Sequence, residues 1–588
     1  MKKKMVSGVM LLMSVTLGLA ACGGGKKEES TSSNEDATKF ARAVKNEEKA
    51  IDGGTLKVAI AADTQFPGVF DANFSSNALD TKIMSGAYES LIKYDDEGKL
   101  IDGGPADLEI DVDGKKAIIK LREDLKWSDG KAVTTEDVIF PYEIIGHKDY
   151  PGVRYGSKFE SIVGMKEYHE GKAETISGIK AIDDRSVEIS YIEMNPAIKL
   201  AGGVIWGTAT PKRLFEGIAV KDMETSDPVR KNPVTLGAFK LDKFVNGESA
   251  TFVANEHYYG GKPKLAKIVK TIVPTASVVE SMKAKEYDTF VDMPADSYDT
   301  YKDLEGYQIL GDVDNSYTYL GFKMGKWNAE QEGVAYDEKS KMANKNLRQA
   351  MGYAINTEAI ADKFYHGLRS TSNSLIIPFF KSVHNPDQKG YSYDHKKAKK
   401  LLEDAGYKDT DDDGIREDPN GDKLVINFAC RKNEEISQAL ADYMIQEWEK
   451  IGLKVELSGG RLMDSQAFYK KLQEDDPEID VYNAAWVTGL DPAPTGLYGR
   501  NSEFNYTRFA SEENDKLLKA LESEKTFDDK ERKKAFYAWQ EYAKEEAFAI
   551  PTTNYYVIQP VNNRVKSYLL SNKEMDWSKV ELTADKPK

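Results

Sequence analysis

The chain is poor in cysteine: its 588 residues hold two, Cys22 and Cys430. Once Cys22 is consumed in processing, as argued below, no intrachain disulfide can form, and stability must come from core burial, which a chain this long can supply. Cys430 closes the apolar run from Leu424 and reads as a small buried residue rather than a nucleophile. Positive charge is outnumbered: 81 Lys and Arg face 97 Asp and Glu, a formal net charge of −16. Without a basic stripe, nucleic acid is excluded as a partner. Adhesion to anionic lipid by charge alone is excluded with it. Enzyme signatures are equally scarce. There is no Gly-x-Ser-x-Gly, no His-Glu-x-x-His and no Lys-Thr-Gly, and the Gly23–Gly25 triplet is not followed by the Gly-Lys-Ser/Thr of a phosphate loop. His366 and His384 are lone histidines, read as surface or satisfied side chains. One fragment remains: Ser128-Asp129-Gly130-Lys131 fits the Ser-x-x-Lys of a cell-wall acyl-transfer enzyme. That chemistry needs its serine at a helix start, whereas Asp129-Gly130 marks a turn.

What is present begins with a leader. Lys2, Lys3 and Lys4 precede the apolar run Val9–Met13, and small residues follow. Ser14, Thr16 and Gly18 interrupt the run, which is too short to cross a hydrocarbon layer of about 30 Å, so residues 1–21 read as a cleaved secretory signal. Its end, Leu19-Ala20-Ala21-Cys22, resembles the lipobox of bacterial lipoproteins, which implies that Cys22 is lipidated and becomes the first mature residue. Two acyl chains there suffice for stable anchoring. The expected location is the extracytoplasmic face of the cell membrane. Residues 22–50 read as a flexible linker, glycine-rich and then charged without apolar periodicity.

Order is expected from Gly53-Gly54 and the strand Thr55–Ile60. Ala117–Leu121 reads as a strand running into Arg122–Lys131, and Thr134 or Thr135 with Glu136-Asp137 as a capped helix start. Leu121-Arg122-x-Asp124-x-Lys126-Trp127-Ser128-Asp129-Gly130 and Thr135-Glu136-Asp137-Val138 resemble the signature of the family 5 extracellular solute-binding proteins. Four further landmarks follow in the family's order: Asn232–Leu241, Asn255–Pro263, Leu347–Asn356 and Ala398–Tyr407. The resemblance runs from about residue 52 to the C-terminus.

It implies an α/β chain with the two-lobed, class II fold of periplasmic binding proteins, in the large peptide-binding form with an extra subdomain in the first lobe. The expected boundaries are 51–320 plus 555–588 for the first lobe, with the subdomain at about 81–210, and 321–554 for the second. The residues support an α/β lobe by themselves. Leu424–Cys430 is a buried-strand run; Ile436, Leu440, Met444 and Trp448 make a helical stripe; Gly452 ends it and Lys454–Leu457 starts another strand. Strand, helix and strand with short joints make a βαβ unit. Chain crossings between lobes are expected near Tyr317–Phe322 and Thr553–Val557, whose aromatic residues serve either the core or a ligand.

The resemblance further implies an oligopeptide receptor that hands its cargo to ABC transporter permease subunits, a monomer with no catalytic residues. A peptide pheromone, a glycan or a metal complex are the other ligands within the family. Asn483–Pro492 resembles the cleft-lining segment, which implies ligand contacts at Ala485, Trp486, Val487 and Thr488 and makes Asp491 the candidate receptor of the peptide's amino terminus. Asp491 is equally suited to opening a turn before Pro492. No cofactor is required, but Asp409-x-Asp411-x-Asp413-Gly414 matches the start of a calcium loop, with the carbonyl of Ile415 at position seven and Glu417 at position nine. Asn420 stands where a bidentate Glu is expected, so a solvated acidic turn is the alternative to a structural calcium ion.

Overall fold

The computed structural model describes residues 40–588 except 97, 296, 433–435 and 571–574. Cys22 and the leader lie outside the described residues.

Eleven strands form one mixed sheet: β1 (Thr55–Ala61), β2 (Phe239–Val245), β3 (Ser249–Ala254), β4 (Lys267–Val273), β5 (Thr289–Val291), β6 (Tyr307–Phe322), β7 (Arg369–Thr371), β8 (Val425–Cys430), β9 (Lys454–Leu457), β10 (Val481–Val487) and β11 (Ala549–Asn562). Their order is β9-β8-β10-β6-β11-β5-β1-β4-β3-β2, with β7 also on β11. The left part of this order belongs to one lobe and the right part to the other. Two long strands, β6 and β11, run through both and pair antiparallel. Tyr307–Val313 faces Asn562–Tyr556; the register then breaks and resumes at Tyr317 opposite Asn554. That irregularity, residues 314–316, is where the chain passes between lobes, and it adjoins the segment expected to cross. An irregular step in an otherwise continuous ladder is the natural place for a bend.

The βαβ unit forms as its pattern requires. β8 and β9 pair in parallel, and the helix Ser437–Glu449 between them buries Leu440, Met444 and Trp448. Gly452 sits at φ +86°, a left-handed conformation that favours glycine. These elements share one second-lobe core with the helices Lys345–Ala354 and Asp529–Glu546, centred on Met351, Phe428, Trp448 and Trp539. The first lobe has its own core beneath β1–β4, around Leu56, Phe70, Phe252 and Trp577.

A separate four-stranded antiparallel sheet, in the order Ala106–Asp111, Lys116–Leu121, Ser186–Ser190, Ile179–Ala181, carries the helix Thr135–Gly146 and encloses a third core. The motif Trp127…Asp137 organises it. Thr134 and Asp137 make a reciprocal capping box, and Asp137 also accepts from Trp127 Nε1 at 3.0 Å and Lys212 N at 2.9 Å. Those residues are therefore structural: one buried carboxylate gathers a cap, a turn and a distant loop.

The expectation of a flexible linker to residue 50 is corrected for residues 40–50. They lie against the first lobe. Ala41 bridges Leu310, Ala43 bridges Leu569, and Arg42 Nε pairs with Asp312 at 2.6 Å. The Phe40 ring meets Tyr556 edge-on at 5.8 Å, over Gly311, where any Cβ would collide with that ring. The charged composition of this stretch hid the docking, because its cations are matched by acids far away in sequence.

Candidate functional site

The cleft face of the second lobe is built on β10. On one side β10 pairs with β6 along its whole length, from Val481↔Phe322 to Val487↔Ser316. On the other side β8 reaches only Val481–Asn483. From Ala484 to Val487, therefore, no described strand covers that edge. Tyr469 Oη donates to Ala485 O at 3.1 Å from this side. Because backbone direction alternates along a strand, the main-chain groups of Val487 face the same way as those of Ala485. Thr488 turns back toward β6: its N–H and Oγ1 both donate to Asn315 O, at 2.8 and 2.9 Å, while Asn315 Nδ2 donates to Thr488 O at 2.6 Å. This clamp ties the end of β10 to the irregular step of β6. Val487 is 74% exposed. Trp486 stacks between Tyr506 (5.5 Å, 20°) and Tyr319 (6.3 Å, 10°), with Phe504 edge-on at 6.0 Å.

Beside this edge opens a small pocket. It lies at the carboxyl end of β8, between the start of the helix Ser437–Glu449 and the two crossing strands, where open α/β sheets place their ligands. Cys430, Arg431 and Asn483 line it from the β8 and β10 side, Thr318 and Tyr555 from the crossing strands, and Tyr365 with Arg369 from the opposite wall. The Arg369 guanidinium is sandwiched between the rings of Tyr365 and Tyr555, at 3.6 and 3.5 Å from their centroids. Planar guanidinium stacking of this kind fixes the charge in one orientation. Arg431 lies 5.5 Å from the Tyr469 ring centroid, and its Nε is buried with no hydrogen-bond partner among the described residues. No carboxylate of a described residue lines the pocket. The site thus offers an open backbone edge, an aromatic wall and two guanidiniums.

Asp491 lies beyond this pocket's lining. Its Oδ1 accepts from Ala493 N at 3.0 Å, the side-chain turn that Asp before Pro favours. Two titrating neighbours feel it. Burial lowers the Arg532 guanidinium, which Asp491 offsets. Burial raises the Glu522 carboxyl, and Asp491 adds to that shift.

The acidic loop brings three of its predicted ligands together: carboxylate oxygens of Asp409, Asp411 and Asp413 lie within 4.8 Å of one another, all exposed. Gly414 N donates to Asp409 Oδ2 at 2.9 Å, and Ile415 N donates to Asp413 Oδ1 at 2.8 Å. Glu417 is not in the group. Its Oε2 accepts from Thr410 N and Oγ1, at 2.8 and 2.7 Å, so that oxygen closes the loop's base.

Ser128 is held in the turn, with Oγ accepting from Thr235 N at 3.1 Å and the residue 5% exposed, while Lys131 is exposed. His384 is buried with Nδ1 2.6 Å from Ile376 O, and His366 Nδ1 pairs with Asp299 at 2.9 Å. Cys430 is buried, as its strand position required, although it borders the pocket. Sequence reasoning missed Arg369, Arg431 and Tyr365, whereas Tyr555 lies in the expected crossing segment Thr553–Val557, whose aromatic residues were open to either core or ligand. Arg431 carried a usable signal, since it directly follows a recognisable buried strand in a βαβ unit. Arg369 carried none.

The family model for bacterial extracellular solute-binding proteins, family 5, matches residues 99–508. The chain is 34% identical to the oligopeptide-binding protein OppA of Lactococcus lactis subsp. lactis (strain IL1403), over 100% of this chain and 99% of that one. It is 26% identical to the oligopeptide-binding protein AppA of Bacillus subtilis (strain 168), over 89% of each. Among solved structures, lactococcal OppA, complexed with an endogenous peptide in its closed conformation, superposes with a TM-score of 0.75 at 33% identity, covering 90% of this chain and 100% of that one.

Proposed function

This chain belongs to the bacterial extracellular solute-binding proteins of family 5, and we propose that it captures oligopeptides between its two lobes and passes them to the permease subunits of an ABC importer. The observation that carries this reading is the edge of β10 from Ala484 to Val487, which no described strand covers and which Tyr469 Oη engages at Ala485 O, beside a side-chain pocket. An extended peptide laid there adds a strand: its backbone pairs with outward-facing main-chain groups, which is recognition without a sequence requirement. The aromatic wall and the pocket then receive side chains, with water filling unused space. In this reading Asp491 meets the terminal ammonium through its second oxygen, since the first is engaged by Ala493.

No bond in the ligand is broken. The buried Ser128 Oγ, engaged by Thr235 N while Lys131 is exposed, supports a binding protein over an acyl-transfer enzyme. Among the described residues no helix is long and apolar enough to cross a membrane. Lipidation of Cys22 would anchor the protein, and Cys22→Ala is expected to shift it from the detergent phase to the aqueous phase without changing its melting temperature. A structural calcium ion would sit on Asp409, Asp411 and Asp413, and the protein would act as a monomer.

Backbone-edge recognition has a periodic signature. N-methylation of a peptide amide that pairs with β10 removes a hydrogen bond of about 0.5–1.5 kcal/mol, whereas methylation of the next amide, facing away, does not. Calorimetry on a series of singly N-methylated peptides should therefore show alternating affinity. A flat series, or no binding by any peptide, defeats the reading.

A further inference from the structure

We propose that Phe527 is a latch: a second-lobe side chain that seats on the inserted subdomain of the first lobe and sets the balance between open and shut. The proposal rests on the two-lobed binding reading above. Among the described residues, β6 and β11 are the strands that run through both lobes. Far from both in sequence, the short helix Pro196–Lys199 of the subdomain meets the turn Glu524–Phe527, which joins the second-lobe helices Glu512–Leu521 and Asp529–Glu546. Lys199 Nζ donates to Phe527 O at 3.3 Å, and the same ammonium lies 5.1 Å from the Phe527 ring centroid. The ring packs against the subdomain's core, the cluster that contains Met194 and Ile198, not against the core of its own lobe.

The turn presents this ring rigidly. Thr526 is buried, and its Oγ1 lies 2.9 Å from Leu521 O and 2.8 Å from Ser523 O. Asp528 accepts from Lys530 N and Glu531 N, each at 3.0 Å, capping the next helix. Phe527 thus stands between a hydroxyl-braced turn and a helix cap, with little freedom to follow the subdomain if the lobes separate. Two bodies hinged on one pair of strands and touching at a second place cannot rotate about the hinge without breaking that second contact. Separating the lobes would break the ring's packing and its cation contact, so both favour the arrangement in which they are made over a more open one, whatever ligand is inside. The latch therefore acts on every peptide by one common factor, mainly through its release rate.

The test compares full-length wild type with Phe527→Ala, Phe527→Leu and, as a control on the same turn, Glu524→Ala, whose side chain is exposed. Release of two peptides unrelated in sequence is followed by stopped flow, and ligand-free proteins are compared by small-angle X-ray scattering and thermal unfolding. Phe527→Ala is expected to release both peptides faster by the same factor, about tenfold for an aromatic ring withdrawn from partial burial. Phe527→Leu should fall between, and Glu524→Ala should match wild type. Ligand-free wild type should be more compact than Phe527→Ala, with melting temperatures that keep the comparison among folded proteins. Unchanged release, or factors that differ between the two peptides, overturns the latch. Should wild type bind no peptide, the functional reading fails, and scattering alone decides the latch: identical ligand-free profiles overturn it.

Discussion

Replacing Asp491 by Asn separates a charge from a shape. Asn can accept the same turn-closing bond from Ala493 N that Asp491 Oδ1 accepts at 3.0 Å, so the loop before Pro492 should persist. What disappears is one negative charge. If that charge receives a peptide's terminal ammonium, its removal leaves the ammonium without a partner. For a fully buried pair the loss would be about 3–5 kcal/mol. Two features of this site reduce it. Asp491 is only partly buried, and Arg532 already shares its field. A loss of at least about 1.4 kcal/mol, tenfold in affinity, remains the requirement of the reading. N-acetylated peptides, which lack the charge, should bind wild type more weakly than free ones and lose little more in Asp491→Asn. Isothermal calorimetry with both peptides and both proteins closes the cycle and isolates the pairwise contribution. Equal loss for the two peptides, or no loss for either, leaves Asp491 as a turn-former and the ammonium held elsewhere.

Calcium should raise the melting temperature, by mass action on the native state alone, and Asp411→Ala should abolish that response while peptide affinity is retained; a flat calcium titration would leave the loop as a solvated turn. Asp137→Ala should destabilise the chain by about 1–3 kcal/mol, because the carboxylate is the partner of the buried Trp127 Nε1 as well as of the part-buried Thr134 N and Lys212 N, and a buried donor left unsatisfied costs about that much. A urea midpoint within error of wild type would refute this. Lys270 is 1% exposed, donates to Lys82 O and Ser85 O at 2.8 and 2.7 Å, and lies 4.7 Å from the Trp577 ring centroid. Burial pushes its ammonium down to about 7 from 10.5. Its contribution to stability is complete above the unfolded value and is lost as pH falls through the folded one, so stability should rise between pH 7 and 9 in wild type relative to Lys270→Met. Parallel denaturation midpoints across that range would show that the lysine does not titrate there.

Local pattern was enough for the elements whose physics is local. The βαβ unit of Val425–Leu457 follows from an apolar run, a stripe at helical spacing and a glycine stop, because burial of one face and the φ of one turn residue are properties of neighbouring residues. The capped helix at Thr134 was legible for the same reason, although its capping Asp137 turned out to hold a distant loop as well. Three carboxylates spaced two apart in Asp409–Asp413 converge as alternate positions in a tight loop must, whereas the orientation of Glu417 depended on whether Thr410 or a cation competed for it. Cys430 was legible as buried, but its place at the rim of a pocket depended on where β8 stops relative to β10.

The sequence by itself determined the α/β character, the short β-prone segments Tyr317–Phe322 and Thr553–Val557 within the two long crossing strands Tyr307–Phe322 and Ala549–Asn562, and the solute-binding family through motifs that are mostly scaffold. Only the tertiary structure decided which edge stays open, which guanidiniums line one pocket and which side chain clasps the opposite lobe. Arg369 and Arg431 are 62 positions apart in the chain, and Lys199 and Phe527 are separated by 328. The open edge of β10 exists because β8 is short, and residues 40–50 dock because Gly311 leaves room for Phe40. Each is a relation between surfaces formed by distant segments, whereas periodicity and turn chemistry report only what a residue does with its near neighbours.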